Sequence, residues 1–273
     1  MKNQIITIGN RNFEIGKRPY VMGILNVTPD SFSDGGRYGN LDAALRHTEE
    51  MIRDGADIID VGGESTRPGH VKISVAEDIE RTCFVIEAIK ERFEIPVSLD
   101  TYKYQVAQAG ILAGADLIND IWGFKWDDEI AQLCAKNQVP VCLMHNLKEA
   151  VYKDFIADVI ADMKECVQIA HASGLADDKI ILDPGIGFAK NTEENLKFMN
   201  HLEDLVALGY PVLLGTSRKS MIGNTLNLPV DEREEGTMAT SVLGLVKGCS
   251  FFRVHDVKKN VRALAMTDAM LKA

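Results

Sequence analysis

Eight short apolar runs in this 273-residue chain end on, or just before, residues able to do chemistry. Those residues are Asn26, Asp60, Asp100, Asn119, His145 with Asn146, Asp183, Ser217, and Arg253 with His255. Lys219 stands just beyond the seventh run. One polar strand end is commonplace, because a loop begins there. Eight in succession are not, since a Thr, Ser or Gly would usually suffice. Asp60, Asp100 and Asp183, with Asn26 and Asn119, are acceptors for a flat heterocycle whose ring N–H and amino groups need partners. Lys219, Arg253 and His255 suit a phosphate or diphosphate, so the set asks for a ligand with both parts. No Ser-His-Asp arrangement, Walker loop or His-Glu-x-x-His is present. Gly185-Ile186-Gly187-Phe188 lacks the third glycine of a dinucleotide-binding loop.

Two segments are too rich in Gly, Ser and Asp to be helical: 28–36, containing Asp34, and 62–69, containing Thr66 and Arg67. An ordinary reading makes them surface loops. A functional reading makes them lids that bring Asp34, Thr66 and Arg67 over a site. Thr216-Ser217-Arg218-Lys219-Ser220 adds several donors and two cations.

Positioning these groups requires a scaffold that collects strand ends. The apolar runs span 21–27, 58–63, 96–100, 117–120, 139–145, 180–183, 212–217 and 251–256. They do not alternate, as befits strands buried on both faces of a parallel sheet. Helical patterns lie between them at 41–53, 75–92, 102–113, 127–136, 155–172, 193–208, 233–246 and 257–272. Gly55, Gly114, Gly174, Gly209 and Gly248 stand where those helices should stop. Eight strand-helix units in about 250 residues predict an α/β fold of the (β/α)8 TIM-barrel type, with its catalytic mouth at the C-terminal strand ends. A doubly wound open sheet is the competing architecture. Ile5, Ile6, Ile8, Gly9-Asn10, Phe13 and Ile15 predict an N-terminal β-hairpin that plugs the barrel bottom. With no linker or low-complexity stretch, residues 1–273 read as a single domain: hairpin 1–18, barrel 20–273.

Composition narrows the class. The chain is 46% apolar and 26% charged, which excludes a disordered tail. A net charge of -10 without a basic run argues against nucleic acid as partner. No apolar run approaches the ~20 residues of a membrane span, and the first ten residues lack the features of a secretory signal. The expectation is a cytoplasmic protein. The five cysteines form no Cys-x-x-Cys pair and read as buried small hydrophobes rather than zinc ligands or disulfides.

The motifs carry a resemblance. Residues 22–36 (Met-Gly-Ile-Leu-Asn-Val-Thr-Pro-Asp-Ser-Phe-Ser-Asp-Gly-Gly) resemble the first signature of the dihydropteroate synthase family, and residues 55–69 resemble its second. Asp183-Pro184-Gly185-Ile186-Gly187-Phe188, Ser217-Arg218-Lys219-Ser220 and Arg253-Val254-His255-Asp256 match later ones in the family's order. The resemblance implies a pterin-binding barrel, usually a homodimer and a sulfonamide target, working in folate biosynthesis with Mg2+. It would join p-aminobenzoate to (7,8-dihydropterin-6-yl)methyl diphosphate. It implies that Asp100, Asn119, Asp183, Lys219 and Arg253 hold the pterin. Asn26, Thr66, Arg253 and His255 would serve the diphosphate, with Asn26 also a Mg2+ ligand. Arg67, Phe188, Ser217 and Lys219 would border p-aminobenzoate, and Asp34 and Asp60 would complete the catalytic set with Lys219 and Arg253. Two departures stand out: Met144-His145-Asn146 replaces the commoner Met-His-Met, and Ala189 stands where glycine is frequent. Rival readings are methyl transfer to a corrinoid partner on a related barrel, and a non-catalytic pterin-binding paralogue.

Overall fold

The computed structural model describes residues 4–27, 36–64 and 72–273. Strands β1 (Ile5–Ile8) and β2 (Arg11–Glu14) pair antiparallel, with Ile6 opposite Phe13. Eight parallel strands follow: β3 (Tyr20–Asn26), β4 (Ile58–Gly62), β5 (Val97–Asp100), β6 (Leu117–Asp120), β7 (Val141–Met144), β8 (Ile180–Asp183), β9 (Leu213–Leu214) and β10 (Phe251–Val254). Their spatial order is β8-β7-β6-β5-β4-β3-β10-β9, and a parallel bridge from Leu182 to Val212 returns β8 to β9. The sheet therefore closes, which rules out the open doubly wound alternative. It is a (β/α)8 barrel with an N-terminal hairpin.

The helices are α1 (Gly36–Arg53), α2 (Val75–Arg92), α3 (Tyr104–Leu112), α4 (Glu129–Asn137), α5 (Phe155–Ala172), α6 (Thr192–Met199), α7 (Leu202–Val206), α8 (Ser220–Leu226), α9 (Glu234–Val246) and α10 (Val257–Leu271). Ser74 caps α2 by accepting from Glu77 N, and Asn191 and Glu194 form a capping box on α6. The five glycines expected to end helices all take φ between 89° and 104°, a region that favours residues without a Cβ. Three expectations need correction. α1 begins at Gly36 rather than at Leu41, so it takes in the last residue of the segment read as non-helical. The 193–208 pattern is two helices, because the chain leaves helical geometry at His201 (φ -120°, ψ 21°). The short α8 was not anticipated. Among the cysteines, four are buried and Cys83 is half-buried.

Strand parity organises the interior. Tyr20, Met22, Ile58, Leu117, Cys142, Ile181, Leu213 and Phe251 form one cluster with Ile6, Ile8, Phe13 and Ile15 of the hairpin. Tyr20 and Phe251 stack there and Phe13 packs edge-on or tilted against both, with ring centroids 5.0–5.6 Å apart. This is the plugged bottom. Their strand neighbours Val21, Ile59, Ile118, Val141, Ile180, Leu214 and Phe252 belong to the larger cluster shared with the helices. Successive side chains in a strand point to opposite faces. Two residues beyond the lower ring, the inward positions are therefore Asp60, Asn119, Met144, Asp183, Gly215 and Arg253. Among the described residues no helix is long and apolar enough to cross a membrane.

Candidate active site

Arg253 is the hub of the upper ring. Its Nε donates to Asp60 Oδ2 at 2.6 Å and its Nη2 to Asp100 Oδ2 at 2.9 Å. Ser98, one parity step below Asp100 on β5, donates from Oγ to Asp60 Oδ1 at 2.5 Å. Asp60 thus has both oxygens engaged, and the guanidinium plane is held between two strands from across the barrel. Burial opposes the charge on Arg253, but Asp60 and Asp100 more than offset it and hold its pKa above the ordinary value. Burial pushes the Asp100 carboxyl up to about 7, with Arg253 resisting.

Asp183 ends β8 and accepts from Gly185 N at 2.7 Å through Oδ1. Its Oδ2 lies 3.7 Å from where a Cβ on Gly215 would stand, and Arg253 Cβ is 3.9 Å from that point. On the other side, Asn26 Oδ1 and Asp100 Oδ2 lie 3.7 and 3.9 Å from the same point on Gly62. Inward glycines thus leave a methyl-sized gap between the acceptors. Burial raises the Asp183 pKa against the pull of Lys219 and the Gly185 N–H. Asn119 is buried beside Asp100, its register partner.

Lys219 donates to Ile186 O and sits 4.6 Å from the Phe188 ring centroid. Burial draws its pKa down to about 8, with Asp183 opposing. Gly187 (φ 86°) lets the Lys219 chain pass within 3.0 Å of its missing Cβ. Ser217 Oγ bonds His255 Nδ1 at 2.8 Å and accepts from His255 N at 3.1 Å. Ser217 therefore sits with His255, on the β9 and β10 side of the mouth.

Asn26, Asp60, Asp100, Asn119, Asp183, Ser217, Lys219, Arg253, His255 and Phe188 are all described; Asp34, Thr66 and Arg67 lie outside the described residues. His145 does not join the mouth. It follows inward-facing Met144, so its ring is turned behind the barrel wall, fully buried and bonded to Lys190. Sequence reasoning missed Ser98, although a polar residue two positions before Asp100 in a buried strand is a readable signal of the same inward face. It also missed Lys103, which donates to Glu64 Oε2 (2.6 Å) and Asp78 Oδ2 (2.9 Å), and Lys190; neither stands at a strand end. Among the described residues no group of three or more His, Cys, Asp or Glu could hold a metal ion. Asn26 offers one hard amide oxygen at the rim.

A closed barrel with carboxylates, a doubly anchored arginine and a half-buried lysine at one mouth defines a class of enzymes for a polar ring bearing an anion. The family model for pterin binding enzymes matches residues 22–255. A dihydropteroate synthase of Clostridium beijerinckii is 59% identical over 97% of this chain and 99% of its own length. A dihydropteroate synthase of Clostridium difficile, solved with pteroic acid, superposes with a TM-score of 0.93 at 47% identity, covering 96% of this chain and all of that one. One from Xanthomonas albilineans, solved with 4-aminobenzoic acid, gives 0.94 at 38% identity over the whole of both chains. The chain belongs to the dihydropteroate synthase family of pterin-binding enzymes.

Proposed function

We propose that this chain condenses (7,8-dihydropterin-6-yl)methyl diphosphate with p-aminobenzoate, giving 7,8-dihydropteroate and diphosphate. The observation that carries this is the convergence of Asp100, Asp183, Lys219 and Arg253 on one mouth, with glycine-lined space between them. Asp183, Asn119 and Asp100 accept from the donor edge of the pterin, and Lys219 donates to its acceptors. Arg253, held flat by Asp60 and Asp100, stacks on the ring and reaches toward the diphosphate, two tasks that an ammonium cannot share. Asn26, Thr66 and His255 serve the diphosphate, with Ser217 steadying His255. Phe188, Ser217, Arg67 and Lys219 border the p-aminobenzoate, and Asp34 completes the set.

The reacting carbon is a methylene conjugated to the pterin, so positive charge developing there is delocalised into the ring. An aryl amine attacks without a strong base. Catalysis is then a matter of positioning and fixed charge. A carboxylate ring around Arg253 favours the cationic methylene, and the cations nearer the rim favour the departing diphosphate. Mg2+ fits this donor set, because it takes most of its ligands from phosphate and water and needs few protein oxygens; Asn26 would supply one. The chemistry it supplies when bound is charge neutralisation on the leaving diphosphate. Exposed Leu243 and Val246 on α9, with Met266 and Met270 on α10, support a homodimer.

Incubation with both substrates and Mg2+ tests the reading. Dihydropteroate should appear and require both substrates. Folded protein that binds the pterin but yields no product would instead be a non-catalytic paralogue.

A further inference from the structure

The turn that leaves β8 carries Phe188, and its backbone is held almost entirely by side chains. Gly185 O and Phe188 O each accept from Lys190 Nζ at 3.1 Å. Ile186 O accepts from Lys219 Nζ, and Ala189 O accepts from Tyr152 Oη at 2.6 Å. Gly187 N donates to Asn195 Oδ1 at 2.7 Å. Gly185, Gly187 and Ala189 all take positive φ, of 65°, 86° and 45°. For Ala189 that conformation is a strained one, and it persists only where the surroundings fix it. A Cβ on Gly185 would stand 2.0 Å from His145 O, so the turn is also pressed against the end of β7.

Lys190 is the centre of this arrangement. An ammonium has three N–H donors and no acceptor. Here it meets three acceptors: the two turn carbonyls and His145 Nδ1 at 2.7 Å. His145 accepts at Nδ1, so its proton sits on Nε2, 3.8 Å from Asp162 Oδ2 on α5. Asp162 in turn holds Lys125 at 2.5 Å. Burial, with the ammoniums of Lys190 and Lys125, takes the imidazole down to about 2, so it stays a neutral acceptor. Burial also draws Lys190 down to about 7, with Asp183 opposing, a cost that its three bonds help to offset.

We propose that Lys190 is a positioning residue for the second substrate: it fixes the 185–189 turn from behind the barrel wall, and so sets the Phe188 ring without touching either substrate. The inference rests on the proposed place of Phe188 beside p-aminobenzoate. The turn reaches the pterin groups through Gly185 N on Asp183 and Ile186 O on Lys219; neither bond involves Lys190, which acts on Asp183 only through its charge. Loss of Lys190 should therefore weaken the second substrate and spare the first.

A double-mutant cycle on the full-length chain with Lys190→Met and Phe188→Ala tests this. It reads KM and kcat for p-aminobenzoate, and separately the Kd for the pterin diphosphate with Mg2+. Lys190→Met should raise KM for p-aminobenzoate about tenfold. The pterin Kd should stay within about twofold, and adding Lys190→Met to Phe188→Ala should change KM by less than about twofold more, because residues acting as a unit are non-additive. An unchanged KM in Lys190→Met beside a raised one in Phe188→Ala would overturn this inference alone. So would effects that multiply in the double variant, or an equal loss of pterin affinity. An unchanged KM in Phe188→Ala would overturn the place given to Phe188, and the inference with it. If Lys190→Met does not fold, Lys190→Gln, which keeps two donors, takes its place in the same cycle with a smaller rise expected.

Discussion

Within one pleat the barrel interior passes from hydrocarbon to charge. Ile58 gives way to Asp60, Leu117 to Asn119, Ile181 to Asp183 and Phe251 to Arg253, each two residues further along its strand. That is roughly 6.6 Å of chain. Below the step, the ring is closed by the hairpin and packed with aromatic and aliphatic side chains. Above it, three carboxylates, a guanidinium and a lysine share a mouth with inward glycines. The lower ring lowers the free energy of the fold. The upper ring raises it, because buried ion pairs rarely recover the whole of their desolvation. The raised Asp100 and Asp183 and the lowered Lys219 register the same cost. One end supplies stability, and the other uses it to keep charges ready for a ligand.

The largest effect should come from breaking the upper ring at its hub. Arg253→Lys keeps the charge but cannot span Asp60 and Asp100 while stacking on a ring. Truncating a hydrogen-bonded charge pair costs about 2–5 kcal/mol, so kcat/KM should fall on the order of 10²- to 10³-fold. Near-parental kinetics would show that charge alone suffices. At the opposite end, Phe13→Ala should remove about 3–5 kcal/mol of unfolding free energy in denaturant titrations. The folded fraction should keep its pterin affinity within about twofold, as distant sites are nearly additive; a large loss of affinity would mean that the two ends are coupled.

A third effect concerns pH. Lys219 is needed as a cation, and its pKa is drawn down to about 8. The kcat/KM for the pterin diphosphate should therefore peak between pH 7 and 8, declining below it as Asp100 protonates and falling about tenfold per unit above it as Lys219 loses its proton. Lys219→Arg, which stays charged, should remove that alkaline limb even if it lowers the plateau. A limb that persists belongs to another group. The smallest effect is expected from Gly187→Ala. The alanine must hold φ 86° with Lys219 Cδ 3.0 Å from its Cβ. The backbone strain costs on the order of 1–3 kcal/mol, with p-aminobenzoate KM rising more than pterin Kd.

Much of this division could be read from sequence, and parity explains where reading stopped. α2 and α5 have the bounds that amphipathic spacing predicts, because caps and helix-ending glycines are local signals. Strand-end reading found Asn26, Asp60, Asn119, Asp183 and Arg253, since each lies an even step from an inward apolar residue, and Asp100, which lies two positions beyond inward Ser98. It also proposed His145, which lies an odd step from Cys142 and so faces α5 instead. Ser98 was within reach of the same rule. Lys190 was not: its acceptors are two backbone carbonyls and a histidine 45 positions away, and no spacing encodes that meeting. The break at His201 lacks a strong stop residue, and the short α8 starts after Lys219 without a capping side chain.

The most direct test of the upper ring as a ligand site is Asp183→Asn, assayed for pterin affinity and unfolding free energy on the same preparation. The amide oxygen can keep accepting from Gly185 N, while the new NH2 turns an acceptor toward the pterin edge into a donor. Burial already disfavours the Asp183 charge, so the unfolding free energy should change by no more than about 1 kcal/mol. Pterin affinity should fall about 100-fold or more. Retained affinity with lost stability would contradict the account, because Asp183 would then be serving the fold rather than the ligand.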